Sequence, residues 1–426
     1  MRRWKLSALL AAGLALAPAV RSAAQSPAME RLTFDEAVQR AIASHPSAAV
    51  AAAGILRAEA FVRQARAATL LNVSGGLNST TLNTGVEFDG TTVVPRSQLT
   101  GTIDVSMPLY APAEWARRTQ AADQKAIAEL GAADVRRQVA FAAADTYLAV
   151  IGTRRVVEAN ERAVEVARAH YEYARTQREA GAGSLLNELR AQQQLSSDEV
   201  LLEASRLSLY RTQEALGVLL TAGGPVDAGA EPAFELPPAD DDPSLLALSR
   251  TDLRLFGARE QAADRVARDS SKDRLPTLTG LFQPATTYPS QFFTPDNSWR
   301  AVLQFSVPIF DSGLRSATKQ AREASLAEAR ATLDGAVTQA RSEVRVARES
   351  IRMAERALAS ARAGAEQARR VVEIVNVSFR AGAATNIEVV DAQRTSRDAD
   401  YAVAVAEDTL RRAKLDLLTA LGRFPR

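Results

Sequence analysis

Val105-Ser106-Met107-Pro108-Leu109-Tyr110 returns 200 residues later as Phe305-Ser306-Val307-Pro308-Ile309-Phe310, and each copy runs into a long Ala- and Arg-rich segment. A second echo follows in the same order. Ala180-Gly181-Ala182, with Ser184, Leu186, Leu189, Ala191 and Gln192, returns as Ala381-Gly382-Ala383 with Thr385, Ile387, Val390, Ala392 and Gln393. Two matches in one order mark an internal duplication. The repeats are placed at residues 25–220 and 244–426, joined by an irregular linker at 221–243 that holds Gly223-Gly224-Pro225, Pro237-Pro238 and Asp240-Asp241-Asp242.

Upstream of each Ser-x-Pro string the pattern has period 2. Leu71, Val73, Gly75 and Leu77 alternate with Asn72, Ser74, Gly76 and Asn78; Leu99, Ile103, Val105 and Met107 alternate with Thr100, Thr102, Asp104 and Ser106. In the second repeat, strands are expected from Leu275 to Thr287 and from Arg300 to Ile309, with Ala301, Leu303, Phe305 and Val307 on one face and Gln304 and Ser306 on the other. Each is a strand of about ten residues with one apolar and one polar face. Trp115 and Tyr110, just after a strand, suit an interfacial aromatic belt.

Downstream, nothing from Ala113 to Ala180 resembles a stop signal except Gly131 and Gly152. Such a helix approaches about 100 Å at ~1.5 Å per residue. Leu358, Ala361, Ala365, Ala368, Val372, Val375 and Phe379 step by three and four, and so do Val389, Ala392, Ser396, Ala399, Val403, Ala406, Leu410, Ala413 and Leu417. This is coiled-coil spacing with small residues in the seam. Gly181 and Gly382 fall where antiparallel helices must reverse. At the front of the first repeat, Thr33-Phe34-Asp35-Glu36 reads as a capping box, and His45-Pro46 as a break in the helix it starts. His170, beside Tyr171 and Tyr173, reads as a coiled-coil residue rather than a ligand.

The 426 residues hold 52 Lys plus Arg against 50 Asp plus Glu, which gives no electrostatic case for nucleic acid. With no Cys and only two His, disulfides, thiolate chemistry and Cys-ligated zinc are excluded. No cofactor or metal site is expected, and with no P-loop or nucleophile elbow the chain does not read as an enzyme. Arg2, Arg3 and Lys5 before the apolar run Leu6 to Val20, then Ser22-Ala23-Ala24, read as a signal peptide at 1–24. No later stretch has the length of a membrane helix. An exported chain of this kind is a periplasmic protein or an outer-membrane β-barrel. Four strands cannot close a barrel in lipid, so several chains must share one; three supply twelve strands.

The segment Leu32-Thr33-Phe34-Asp35-Glu36-Ala37 followed by His45-Pro46, the doubled Ser-x-Pro and the doubled Gly-x-x-Ser/Thr resemble the TolC family of outer-membrane efflux proteins. The resemblance implies a mainly α fold with membrane β: a homotrimer forming a twelve-stranded β-barrel in outer-membrane lipid, continued by a long periplasmic α-helical barrel. It implies a passive exit duct of a tripartite efflux pump or type I secretion system, opened at its periplasmic tip by a periplasmic adaptor (membrane fusion) protein and an inner-membrane transporter. By the same resemblance Glu388 and Asp391 line a pore constriction, where like charges raise one another's pKa. Gly181, Ser184, Gly382 and Thr385 form adaptor-docking tips, and Pro108 and Pro308 mark the barrel-to-helix junctions. The chain departs from the family in three respects. It has no lipid-attachment Cys, Thr69-Leu70 stands where the second copy has Leu275-Pro276-Thr277-Leu278, and Asn187 and Arg190 stand where the second tip has Glu388 and Asp391. The competing reading is a soluble periplasmic coiled-coil scaffold or adaptor with an ordinary β-domain.

Overall fold

The computed structural model describes residues 29–236 and 246–424 apart from positions 247 and 294. The leader at 1–24 and the Pro- and Asp-rich part of the linker lie outside them. The first repeat opens with β1 (Glu30–Leu32), α1 (Phe34–Ser44) and α2 (Pro46–Ala67). Thr33 and Glu36 form the reciprocal capping box at the start of α1. His45 ends α1 and caps α2, its Nδ1 accepting from the Ser47 amide at 3.2 Å, with Pro46 in the first helical turn where no donor is lost.

Strand β2 (Asn72–Thr81), a small hairpin of β3 (Val86–Phe88) and β4 (Thr91–Val94), and β5 (Ser97–Tyr110) follow. Then come α3 (Pro112–Glu179), 68 residues long, and its return α4 (Leu185–Leu219). The linker contributes β6 (Val226–Ala228). The second repeat runs α5 (Thr251–Asp269), β7 (Thr277–Tyr288), β8 (Asn297–Ser306), the 67-residue α6 (Leu314–Arg380) and α7 (Asn386–Ala420). Strand β8 starts three residues earlier and stops three residues sooner than its sequence pattern suggests, and β7 is shifted towards the C terminus by one or two.

The four long strands form one antiparallel sheet in the order β2-β5-β7-β8, so the repeats meet at the β5–β7 ladder, where Leu99 pairs with Tyr288 and Val105 with Phe282. The linker is less irregular than its composition suggests. β6 pairs in parallel with β1, and its Asp227, 4% exposed, ion-pairs with Arg31 and Arg154 and accepts from Gln213. Around it lies the main core, built from α1, α3, α4, β6 and α7. Tyr147 sits fully buried there. Its hydroxyl lies 2.8 Å from the Ala230 carbonyl and its ring meets Phe34 edge-on at 5.5 Å, which ties the first residues, the linker and the central helix together. The expected seam of small residues in α6 and α7 is present at Leu358, Ala365, Ala368, Val389, Ala392, Ala413 and Leu417, and in α6 it continues back to Ala340. Among the described residues no helix is long and apolar enough to cross a membrane.

Candidate functional site

The two hairpin tips are built alike. Gly181 and Gly382 have φ of +75° and +77°. In each case the glycine amide donates to the carbonyl three residues back, at Arg178 or Phe379, and the next alanine amide reaches back five residues, to Gln177 or Ser378. This is a Schellman closure that needs a left-handed residue, and a side chain on either glycine meets no atom within 4 Å but strains the backbone. Ser184 then caps α4 by accepting from the Asn187 amide at 3.2 Å, and Thr385 occupies the equivalent place before α7.

Glu388 completes a capping box there, its carboxylate accepting from the Thr385 amide at 2.6 Å. That backbone hydrogen bond, with a further one from the Thr385 hydroxyl, holds the Glu388 carboxyl below the usual range within one chain. The direction is opposite to the upward shift expected from like-charge crowding, because within one chain the nearest groups are donors rather than carboxylates. Asp391 lies on the same exposed face one turn on and pairs with Arg394 at 3.5 Å.

Near the tips three polar contacts join the hairpins, none of them evident from the sequence reading. His170 of α3 lies with Nε2 2.6 Å from Asn386 Oδ1, and Asn386 Nδ2 donates to the Asn187 carbonyl at 3.1 Å. Further along, Arg397 of α7 donates to Asp198 of α4 at 2.5 Å, with Asp198 4% exposed by its side chain. The duplication carried the missing signal. His170 stands where the other repeat has Val371, Asn386 where it has Leu185, and Arg397 where it has Ser196.

At the opposite end of the long helices the sheet has two chemically distinct faces. Register puts Val73, Leu77, Leu99, Ile103, Phe282, Trp299, Leu303 and Phe305 on one side. These side chains are uncovered, with Leu77, Trp299 and Leu303 at 75%, 70% and 72% exposed. Aromatic residues flank the face at both ends: Tyr110 against Trp115 at 5.6 Å and the exposed Phe310 near the helices, and Tyr288, Phe292 and Phe293 at the far end. The other side carries Ser74, Thr100, Thr102, Asp104, Ser106, Gln283, Arg300 and Gln304.

The two prolines differ from their expected common role. Pro108 lies inside β5, next to a register slip against β7, where a missing amide is tolerated, and the strand passes into α3 through Ala111 with Pro112 in the first turn. Pro308 does lie between strand and helix, its carbonyl accepting from Arg315 at 3.1 Å. The second junction is longer because Asp311 caps α6 through an Asp-Ser-Gly turn with Ser312 and Gly313 at positive φ. Among the described residues no three His, Asp or Glu side chains gather in a way that could hold a metal.

Known proteins share this architecture. VceC, an outer membrane protein of Vibrio cholerae, superposes with a TM-score of 0.78 at 20% identity, covering 91% of this chain and 96% of that one. The CmeC outer membrane channel of Campylobacter jejuni gives 0.79 at 16% identity over 92% and 85%. Outer membrane protein OprJ of Pseudomonas aeruginosa is 27% identical over 260 residues, 58% of this chain, and the match spans about half of OprJ's own length, 53%. The outer membrane efflux protein family matches residues 37–222 and 243–423. By that match over both repeats the chain belongs to the outer membrane efflux protein family, whose members are channel proteins of the outer membrane.

Proposed function

We propose that three copies of this chain close their four-stranded sheets into one twelve-stranded barrel, and that their helical hairpins continue its wall as a periplasmic tube, making a passive exit duct for an efflux pump or a type I secretion system. The observation that carries this is the uncovered apolar face of the sheet, ringed by aromatics at both ends, on a sheet whose β2 and β8 edges are unpaired. In lipid each unpaired backbone group costs several kcal/mol, so two open edges of ten residues cost on the order of tens of kcal/mol per chain. Pairing β8 of one copy with β2 of the next removes that cost. A soluble scaffold would have to hide the same apolar face against another layer, and among the described residues nothing covers it.

In this assembly Leu99, Ile103, Val105 and Met107 face lipid, and Thr102, Asp104 and Ser106 face water in the lumen. Gly181, Ser184, Gly382 and Thr385 are presented at the far end of the tube to a periplasmic adaptor coupled to an inner-membrane transporter. Glu388 and Asp391 form a narrow acidic mouth there. Their opposite-repeat counterparts, Asn187 and Arg190, make the two tips chemically unequal, so the acidic lining of the mouth comes from the second tip alone. Spin labels at positions 103 and 104 in outer-membrane vesicles test the barrel: the first is expected to be reached by a lipid-soluble relaxant and the second by a water-soluble one. Equal accessibility at both positions ends the reading.

A further inference from the structure

Among the described residues of β2, β5, β7 and β8, Asp104 and Arg300 are the only charged side chains. They stand on the same polar face and at the same level, Asp104 on β5 and Arg300 on β8, with Gln283 of β7 between them. Adjacent strands lie ~4.8 Å apart, so the two charges are about 10 Å apart across the sheet, too far for an ion pair. Gln283 bridges them. Its Nε2 donates to Asp104 Oδ1, while its Oε1 accepts from Arg300 Nε at 2.5 Å. Thr102 Oγ1 also donates to Asp104, at 3.4 Å. An amide has one donor end and one acceptor end, so a carboxylate on one side and a guanidinium on the other fix its orientation and polarise it.

We propose that this Asp104–Gln283–Arg300 relay is the charge-balancing element of the barrel, which keeps it unselective between ions of opposite sign. This rests on the trimeric barrel reading, in which three relays form one rung of six alternating charges with zero sum. The remainder of that face on the four strands is uncharged, Ser, Thr, Asn and Gln with Gly76, Leu281, Val302, Ala285 and Pro108 among them, so this rung sets the field along the strand-built wall, and its balance lets solutes of either sign pass. The consequence is a division of labour: cation preference belongs to the acidic tips, and the barrel adds none of its own. Breaking the balance on either side converts the barrel into a filter. Arg300→Gln leaves three carboxylates and should favour cations; Asp104→Asn leaves three guanidinium groups and should favour anions. Both replacements keep a group able to hydrogen-bond Gln283.

The experiment is the reversal potential of purified full-length channels in planar bilayers, across a salt gradient based at about 10 mM, where the screening length is ~30 Å and spans the lumen. It is run with the natural tip and again with Glu388→Gln and Asp391→Asn, so that the tip cannot mask the barrel. The expected result is opposite shifts for the two single variants and return to the starting potential in the double variant Asp104→Asn with Arg300→Gln. Conducting channels with no shift, or shifts of one sign in both variants, overturn the proposal and leave the barrel reading intact. Failure of the unmodified chain to conduct at all overturns both. If either neutral variant fails to assemble, Thr102→Cys gives the only thiol in the chain. Modified after insertion, it should shift selectivity towards cations with an anionic reagent and towards anions with a cationic one; no shift with either overturns the proposal.

Discussion

His170 and Asn386, 216 residues apart, share a buried hydrogen bond of 2.6 Å that joins the long helix of the first repeat to the first turn of the second repeat's return helix. Asn386 passes the contact on to the Asn187 carbonyl, so one side chain of each hairpin and the backbone of a tip are held in series. Phe379 closes the site edge-on to the imidazole at 5.6 Å. The nearby charges are partnered elsewhere: Arg178 of α3 with Glu188 of α4, Arg380 of α6 over the Tyr173 ring, and Glu388 of α7 with Thr385.

Burial lowers the His170 pKa below its ordinary 6.5, and the Asn386 hydrogen bond opposes this only in part. The seated imidazole is therefore neutral, and a released one binds a proton more readily. Stability from this contact is complete above the ordinary value and is lost as pH falls through it towards the seated value. Hydrogen exchange of amides 386–390, corrected for intrinsic rate, is expected to accelerate between pH 7 and 5 in the natural chain. His170→Gln, which keeps a donor but cannot titrate, is expected to be flat over that range. A slope that persists in the variant would assign the effect to another group.

The buried pair of Arg397 and Asp198 makes the second bridge between the hairpins. Removing the guanidinium leaves an enclosed carboxylate with, among the described residues, the Gln194 amide as its remaining side-chain donor, a loss of about 3–5 kcal/mol where a buried pair is broken. Arg397→Ala is expected to lower the thermal midpoint clearly, and Asp198→Asn with Arg397→Met to recover most of the loss. Calorimetry of the detergent-solubilised oligomer gives both values.

At the tips, Gly181→Trp with Gly382→Trp combines backbone strain with bulk pointing into open space. Folding elsewhere is expected to survive, since neither position touches the core. Export and crosslinking to a periplasmic adaptor are expected to be lost while the oligomer still forms. Intact export with both substitutions would place adaptor contact away from the tips.

Much of this architecture is legible in the residues because it is periodic or local. The capping box at Thr33, the break at His45-Pro46, the alternation on β2 and β5 and the reversals at Gly181 and Gly382 each depend on neighbours within one or two turns. What was not legible is pairing at long range. Nothing in a period of 2 says that β5 joins β7, that Asp104 meets Gln283 179 residues away, or that β6 leaves the linker to pair with β1. The acidic tip shows the intermediate case: the i, i+3 spacing puts Glu388 and Asp391 on one face, but only the structure shows that Glu388 also serves as a helix cap.

That double duty sharpens the expectation for the mouth of the duct. Within one chain Glu388 is held ionised by the Thr385 amide, so it keeps its charge under conditions where a crowded carboxylate would take up a proton. Asp391 is offset by an exposed Arg394 at 3.5 Å. In the proposed trimer, three chains would bring six carboxylates and three guanidinium groups to one narrow opening, a net negative site. In such a mouth the effective dielectric falls from ~80 towards ~20, which multiplies attraction for cations about fourfold at a given distance. A divalent cation bridging two copies should therefore block the resting channel. Glu388→Gln with Asp391→Asn is expected to reduce both the divalent block and the cation selectivity. Glu388→Gln alone should weaken the cap by a few tenths to about 1 kcal/mol, since the amide oxygen can still accept from Thr385. Single-channel current with magnesium on the tip side, compared between the natural chain and the double variant, reads the block. Undiminished block would confine Glu388 to its capping role.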